Sequence, residues 1–326
     1  MWVDRETHIL QNTNSPVIFG LDPEIQDSRF HGNDEGSCLN VYEFYNILSI
    51  IAVMNEALDL LNPPSTDFCM LDYECAYLPD RSVRMHYKYV QNASKTFATA
   101  VIARGWRRFG CYFFHPVCNG CNACKSIRID VANYTFSKSQ RKVIRKNKET
   151  QIIVQKPTLT QAHLDLYNRY HAYKHEKDGW SHRNISQREY HENFVEGAHD
   201  FGKEVLYIVD GKLVGVDLID ILDDGISAIY FYYDPDYAHL SLGTYSLLYQ
   251  IKLAGILELP WIYLGYWVDG CKAFAYKPKF QPQEILDGFP HITEIPEWEA
   301  WESVRSEEVG VLVGIALQSK KISIEL

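Results

Sequence analysis

The sequence predicts an α+β protein, a mixed sheet with flanking helices preceded by a cysteine-containing N-terminal region, and three observations predict it. Residues 204–233 read as three strands joined by tight turns. Residues 226–266 read as strand, helix, strand. Nearer the N-terminus, Cys118, Cys121 and Cys124 recur at three-residue intervals beside a dense run of basic residues.

The strand–helix–strand unit is the clearest element. Ile226–Tyr233 is β-branched and aromatic, as strands are. Asp234-Pro235-Asp236 stops it, because proline cannot donate to a ladder. Ser241-Leu242-Gly243-Thr244 opens a helix in which Leu247, Leu248, Ile251 and Gly255 follow the i, i+4 rule. Pro260 closes the connection and Trp261–Tyr266 is the second strand. Such a crossover should be parallel and right-handed. Its helix start, marked by Gly243, presents free N–H groups and the positive end of a dipole, which suits a phosphate but is also a common plain connection. Upstream, Glu204–Val209, the Asp210-Gly211 turn, Leu213–Ile221, the Asp224-Gly225 turn and Ile226–Tyr233 form an antiparallel meander. A meander leading into that crossover is the core topology of the acetyltransferase-like (GNAT) fold.

With 326 residues, 46% of them hydrophobic and 23% charged, the chain has the make-up of a globular protein large enough for two packed domains or one large one. A formal net charge of −10 argues by itself against a nucleic-acid partner. That charge is polarised, however. From Arg104 to Lys148 there are eleven Lys and Arg against one acid, Asp130, so this stretch carries +10 and the remainder −20. Eight cysteines in a chain of this length do not read as a secreted disulfide framework. The longest apolar run, around Phe44–Met54, is broken by Asn46 and Ser49 and is too short to span a bilayer. These features predict a cytoplasmic protein with no membrane partner.

In chain order, residues 1–61 form a variable leader. Its first forty positions are rich in Asp, Asn, Gly and Pro and read as poorly ordered; Val41–Leu61 reads as a helix. Met54 is a sensible alternative start, which would make residues 1–53 a dispensable extension. Residues 62–150 form a Cys-rich and basic region, in which Val101–Arg108 and Cys111–His115 read as short strands around Gly110. Thiolates at three-residue spacing on a tight turn can face one centre, as zinc or iron–sulfur ligands do, and Cys75 is the fourth candidate beside Cys118, Cys121 and Cys124. A group of buried free thiols accounts for the same spacing.

Lys138, Arg141, Lys142, Arg145 and Lys146 occupy i, i+3, i+4, i+7 and i+8, one face of a helix. A charge run is ordinarily a solvated face. Here no acid is interleaved before Glu149, so the stripe repels itself, which favours a polyanionic partner. Residues 151–295 form the GNAT-like domain, opening on a helix from Leu159 to Tyr173. The histidines at 163, 171, 175, 182, 191 and 199 lack metal spacing and read mostly as surface residues. Trp267–Phe280 sets Lys272, Lys277 and Lys279 among aromatics, as a nucleic-acid surface does or as lysine stems do over an apolar face. Residues 296–326 form a tail, with a helix and a short strand from about Trp298 on.

Five separated stretches then share one pattern. CAYLPDR (Cys75–Arg81), HPVCNGCNACKSIRI (His115–Ile129), SKSQRKVIRKN (Ser137–Asn147), FYYDPDYAHLSLGTYSLLYQI (Phe231–Ile251) and YLGYWVDGCKAFAYKPKF (Tyr263–Phe280) resemble the aminoacyl-tRNA–protein transferases, closest to the bacterial aspartate/glutamate leucyltransferases. The resemblance covers Cys69–Gly288. It implies a GNAT-like catalytic half and transfer of an amino acid from its charged tRNA to an acidic protein N-terminus, which marks that protein for degradation under the N-end rule. The implied partners are Leu-tRNA and acceptor proteins beginning with Asp or Glu. Phe274-Ala275-Tyr276-Lys277 departs from relatives that carry methionine before the Tyr-Lys pair, and arginine stays the alternative donor.

Within these stretches Tyr232, Asp234, Tyr266 and Lys277 are the candidate catalytic residues, with the general base unassigned and Asp234 equally a turn residue. Gly243 and Thr244 are candidate substrate-binding residues, as are Arg81 and Arg84, since arginine can grip a carboxylate through two parallel hydrogen bonds. Pairing of Arg81 with Asp80 accounts for Arg81 equally well. The basic helix is the candidate tRNA surface. An aminoacyl ester is already activated, so aminolysis chiefly needs positioning, with oxyanion support expected from backbone N–H groups of Ile229–Tyr233. A Tyr/Phe pocket would suit leucine, whereas arginine would require a buried acid. Two readings of other kinds compete: an acetyltransferase holding a CoA pyrophosphate at Gly243, and a non-catalytic metal- and RNA-binding protein.

Overall fold

The computed structural model describes residues 60–301, which fall within one compact unit. The expected leader and its Met54 start, and the tail beyond Trp301, lie outside the described residues.

The first part of the described chain builds a small antiparallel sheet. β1 (Thr66–Cys69) is followed by a hairpin of β2 (Tyr73–Glu74) and β3 (Ser82–Val83), then by β4 (Met85–Tyr89), α1 (Lys95–Ile102), β5 (Arg107–Phe109) and β6 (Tyr112–Pro116). The sheet order is β1-β4-β6-β5. The expected strand over Val101–Arg108 is corrected here: Val101 and Ile102 end α1, residues 103–106 turn, and the strand begins only at Arg107. Ser94 caps that helix by accepting from the Phe97 N–H at 3.0 Å, and Phe97, Ala98, Val101 and Ile102 form one buried face. Cap and packing outweigh the strand preference of Val101 and Ile102.

The second sheet is formed by β7 (Lys125–Asp130), β8 (Gln151–Gln155), β9 (Gly202–Val209), β10 (Lys212–Ile221), β11 (Gly225–Tyr233), β12 (Trp261–Trp267), β13 (Gln283–Leu286) and β14 (Trp298–Ala300). Its order is β14-β13-β7-β12-β11-β10-β9-β8. All neighbours are antiparallel except β11 and β12, which are parallel as the crossover requires. The meander β9–β10–β11 falls where the alternation put it. The boundary drawn at residue 150 does not divide this sheet, since β7, from the Cys-rich region, lies between β12 and β13.

Helices cover both faces. α2 (Lys138–Lys146) and the crossover helix α5 (Leu242–Ile256) pack together on one face. There Leu242, Leu248, Ile251 and Ala254 bury against Ile127, Ile129, Ile226 and Ile262. On the other face lie α3 (Gln161–Asp178) and α4 (Gln187–Tyr190), where Leu164, Leu166 and Tyr190 bury against Leu206, Val216, Leu218 and Tyr232. His163, expected on the surface, is buried with Nε2 3.3 Å from Glu204 Oε2.

Candidate active site

The parallel pair does not stay paired. β11 and β12 are in register only at Gly225–Ser227 with Trp261–Tyr263, after which the strands separate. Two cationic side chains fill the opening. Arg107 of β5 donates from Nη2 to the carbonyls of Ala228 (2.6 Å) and Ile229 (3.3 Å) on β11. Lys277, in the turn after β12, donates from Nζ to the carbonyls of Leu264 (2.8 Å) and Tyr266 on β12. Carbonyls stranded by the parting of the strands thus meet charged donors. Gly265 makes room for this: its φ is +69°, and a Cβ there would lie 2.5 Å from Arg107 Cζ.

Arg107 Nη1 is shielded from solvent and has no hydrogen-bond partner among the described residues. Burial, followed by the charge of Arg107, pushes Lys277 well below the usual lysine range, and burial lowers Arg107 as well. At Ala228 and Ile229 β11 offers carbonyls, and the donor facing them is Arg107.

Beside the carboxyl end of β12 lies a cavity of about 320 Å³. Tyr73, Tyr77, Tyr87, Phe109, Phe114 and Tyr266 form its aromatic wall, and among the described residues no Asp or Glu lines it. The Tyr266 hydroxyl donates to the Phe114 carbonyl at 3.3 Å, and burial holds its phenol well above the usual range. Arg81 lines the same cavity, and no salt bridge, to Asp80 or to any other described acid, occupies it. Arg84 is instead spent on Asp72, with Nε 2.6 Å from Oδ1 on the surface.

Cys75, Cys118, Cys121 and Cys124 all border the cavity. Burial, with Cys118 and Cys75 adding to it, pushes Cys124 up to about 12, so it is a thiol at neutral pH. Among the described residues no three His, Cys, Asp or Glu side chains are arranged to hold a metal ion. The four cysteines share one wall of the cavity.

The basic helix is where the sequence put it. Ser137 and Gln140 close a capping box at its start, and Lys138, Arg141, Lys142, Arg145 and Lys146 are all exposed. None of the five forms a salt bridge among the described residues. Its far end is tied to the loop that leads into α5: Lys146 Nζ donates to the His239 carbonyl (2.7 Å) and Asn147 Nδ2 to the Leu240 carbonyl (2.8 Å). The cationic face therefore adjoins the N-terminus of α5, where Ser241 provides no side-chain cap. Thr244 is partly exposed there and Gly243 is exposed. A Cβ at Gly243 would meet only Phe231 Cε1, at 3.8 Å.

Two candidate catalytic residues lie away from this centre. Tyr232 is fully buried on the α3–α4 face, its hydroxyl 2.6 Å from that of Tyr190. Alternation along β11 sends it to the side opposite Phe231. Asp234 is buried in an ion-pair knot, 2.8 Å from both Arg169 and Lys212, and accepts from the Asp236 N–H. It holds the turn after β11. Tyr266 and Lys277 do come together, since Lys277 bonds the Tyr266 carbonyl. Arg107 is the group the sequence reading missed. Its signal was the Arg107-Arg108 pair on a short strand, where alternation must send one arginine to each face.

A strand opening that holds two basic side chains, a cavity with no acid among its described lining residues and an exposed cationic helix together suit a transferase that draws its acyl group from a polyanionic carrier. No described helix is long and apolar enough to cross a membrane. The chain belongs to the arginine-tRNA-protein transferase family: the N-terminal region of that family matches residues 73–142 and the C-terminal region residues 162–287. It is 46% identical over 227 residues to the aspartate/glutamate leucyltransferase of Campylobacter jejuni (serotype O:6, strain 81116), covering 70% of this chain and 95% of that one. The protein of the same name from Helicobacter hepaticus is 43% identical, covering 70% and 94%. That from Marinobacter nauticus is 36% identical, covering 67% and 92%. Among solved structures, FemX superposes with a TM-score of 0.39 and 9% identity over 74% of this chain and 73% of that one, too loose a likeness to bear on function.

Proposed function

We propose that this protein moves leucine from Leu-tRNA to the N-terminal Asp or Glu of acceptor proteins, in the cytoplasm, and so creates a degradation signal. The observation that carries the donor choice is the aromatic cavity without an acid in its wall. A leucyl side chain gains by burial there. An arginyl side chain would bury a guanidinium with no carboxylate to meet it, which is costly.

Arg81, in the same wall and without a salt bridge among the described residues, supplies the cation that the acceptor's Asp or Glu carboxylate needs. The tRNA backbone lies along the exposed stripe of α2, and its 3′ end reaches the splay over Gly243 and Thr244. Ligands of open α/β sheets bind beyond the carboxyl ends of parallel strands, and here both the cavity and the α5 N-terminus lie at that edge of β11 and β12. The scaffold is read as GNAT-like on the same grounds, a meander running into a parallel pair that opens. The acceptor amine has an ordinary pKa of roughly 7.7–8.0, so an appreciable share is already neutral at cellular pH.

The test offers Leu-tRNA and Arg-tRNA in parallel, with peptides starting in Asp, Glu, Arg or Ala. Leucine should appear on the Asp and Glu peptides only. Preference for arginine overturns the donor assignment, and equal labelling of the Ala peptide overturns the acceptor assignment.

A further inference from the structure

The strand splay holds the half-buried Arg107 and the buried Lys277, and no anion among the described residues. Arg107 and Lys277 spend their hydrogen bonds on main-chain carbonyls, which carry only partial charge. Neither forms a salt bridge with a carboxylate among the described residues. Taking a charge out of water is costly unless an opposite charge meets it. The fold therefore carries a standing demand for negative charge at this point. Arg107 Nη1, shielded and without a partner among the described residues, marks where that demand is directed.

In leucyl transfer, the reading on which this inference rests, negative charge develops on one atom, the carbonyl oxygen of the aminoacyl ester. The lone pair of the acceptor α-amine adds to the ester carbon and forms the C–N bond while the π pair moves onto oxygen. Collapse returns that pair and breaks the bond to the ribose oxygen, which takes up the proton the amine gives up. An amide and a free tRNA hydroxyl result, and nothing else is consumed.

We propose that Arg107 is the oxyanion group of this reaction, donating Nη1–H to the ester carbonyl oxygen. The approach lies through the neighbouring cavity wall, which Arg107 backs but does not itself line. Arg107 is paired across β5–β6 with Phe114, a cavity residue, and its charge acts on Tyr77 and Tyr266, which line the cavity too. Gly265 seats the head group so that it needs no reorganisation during the reaction. A charged donor shielded from solvent, as Arg107 Nη1 is, acts far more strongly than the same group in bulk water.

The experiment compares wild type with Arg107→Met and Arg107→Ala at saturating Leu-tRNA and Asp peptide. The Met variant should lower kcat by about 10²–10³-fold, leave both KM values within about threefold, and keep the preference for Asp over Ala peptides. Millimolar guanidinium should restore part of the rate to the Ala variant. A folded Met variant with wild-type kcat overturns the proposal. So does a variant that mainly raises KM for the peptide and loses the Asp preference, because Arg107 would then bind the acceptor carboxylate.

Since Arg107 also satisfies β11 carbonyls, its loss can unfold the chain, and a measurement on wild type is therefore included. An adenosine leucylphosphonate, tetrahedral and anionic at the reacting centre, should bind at least about 100-fold more tightly than the planar adenosine leucylamide, and equal binding overturns the proposal. Wild-type leucyl transfer is the control for the underlying reading: if it is absent, that reading fails, whereas its presence beside an undiminished variant sinks only the role of Arg107.

Discussion

Arg107 and Arg108 are neighbours on β5 with opposite situations. Arg108 is buried and fully answered: Nε and Nη2 grip the Asp220 carboxylate at 2.8 and 2.6 Å, and Nη1 bonds the carbonyls of Gly110 and Gly197. Arg107 points the other way, meets carbonyls only, and keeps one nitrogen without a partner among the described residues. Residue type and strand are shared; the faces differ, and only the face of Arg108 supplies a counter-charge. A neutralised buried charge holds structure together, whereas an unneutralised one is available to a substrate.

The contrast is broken most sharply at Arg108. Arg108→Ala leaves Asp220 buried and unpaired, and should cost about 3–5 kcal/mol in chemical denaturation, while kcat per folded molecule stays near wild type. A stable Arg108 variant with lost turnover would abolish the distinction between the two arginines.

The same logic separates Arg81 from Arg84 at the surface. Arg81→Gln should raise KM for an Asp peptide by roughly 10- to 100-fold, the worth of one hydrogen bond to a charged group. Arg84→Gln breaks only an exposed pair with Asp72 and should change KM by less than about threefold. Steady-state kinetics with Asp and Ala peptides read both, and equal effects would show that exposure, and not pairing, decides.

Exposed cations on α2 should each neutralise a tRNA phosphate. Replacing Arg141, Lys142 and Arg145 with Ala should reduce the slope of log affinity for Leu-tRNA against log salt by about 0.9 for each phosphate left without its cation, with KM for the peptide unchanged. An unaltered slope would return α2 to a solvated face. The smallest effect is expected at Gly243, where no close neighbour requires a glycine. Gly243→Ala should stabilise the chain by about 0.5–1 kcal/mol in thermal melts. Destabilisation would reveal a backbone requirement that the geometry does not contain.

Much of the scaffold was legible because it is local. Alternation marked the meander, Asp234-Pro235-Asp236 ended β11, and the i, i+4 run from Leu247 marked α5. The basic helix was legible for the same reason, as five cations at helical spacing. Tyr232 was misassigned although the information was present: next to Phe231 in a strand, it had to face the opposite side. The four cysteines do border one cavity, but spacing along a turn does not by itself say what their sulfurs bind. The splay itself was not legible. It depends on Arg107 meeting Gly265 and Lys277, which lie far down the chain from it, and they come together only when the sheet is assembled.

The place of β7 in that sheet has a consequence for how the chain comes off the ribosome. Lys125–Asp130 emerges early, yet both of its neighbours, Trp261–Trp267 and Gln283–Leu286, are synthesised much later. Until then the nascent chain carries a strand with two open edges and with Ile127 and Ile129, later fully buried, still uncovered. Such long-range pairing is slow to form and is exposed to aggregation while it waits. A ribosome stalled before Trp261 should therefore hold its chain in a form that chaperones bind.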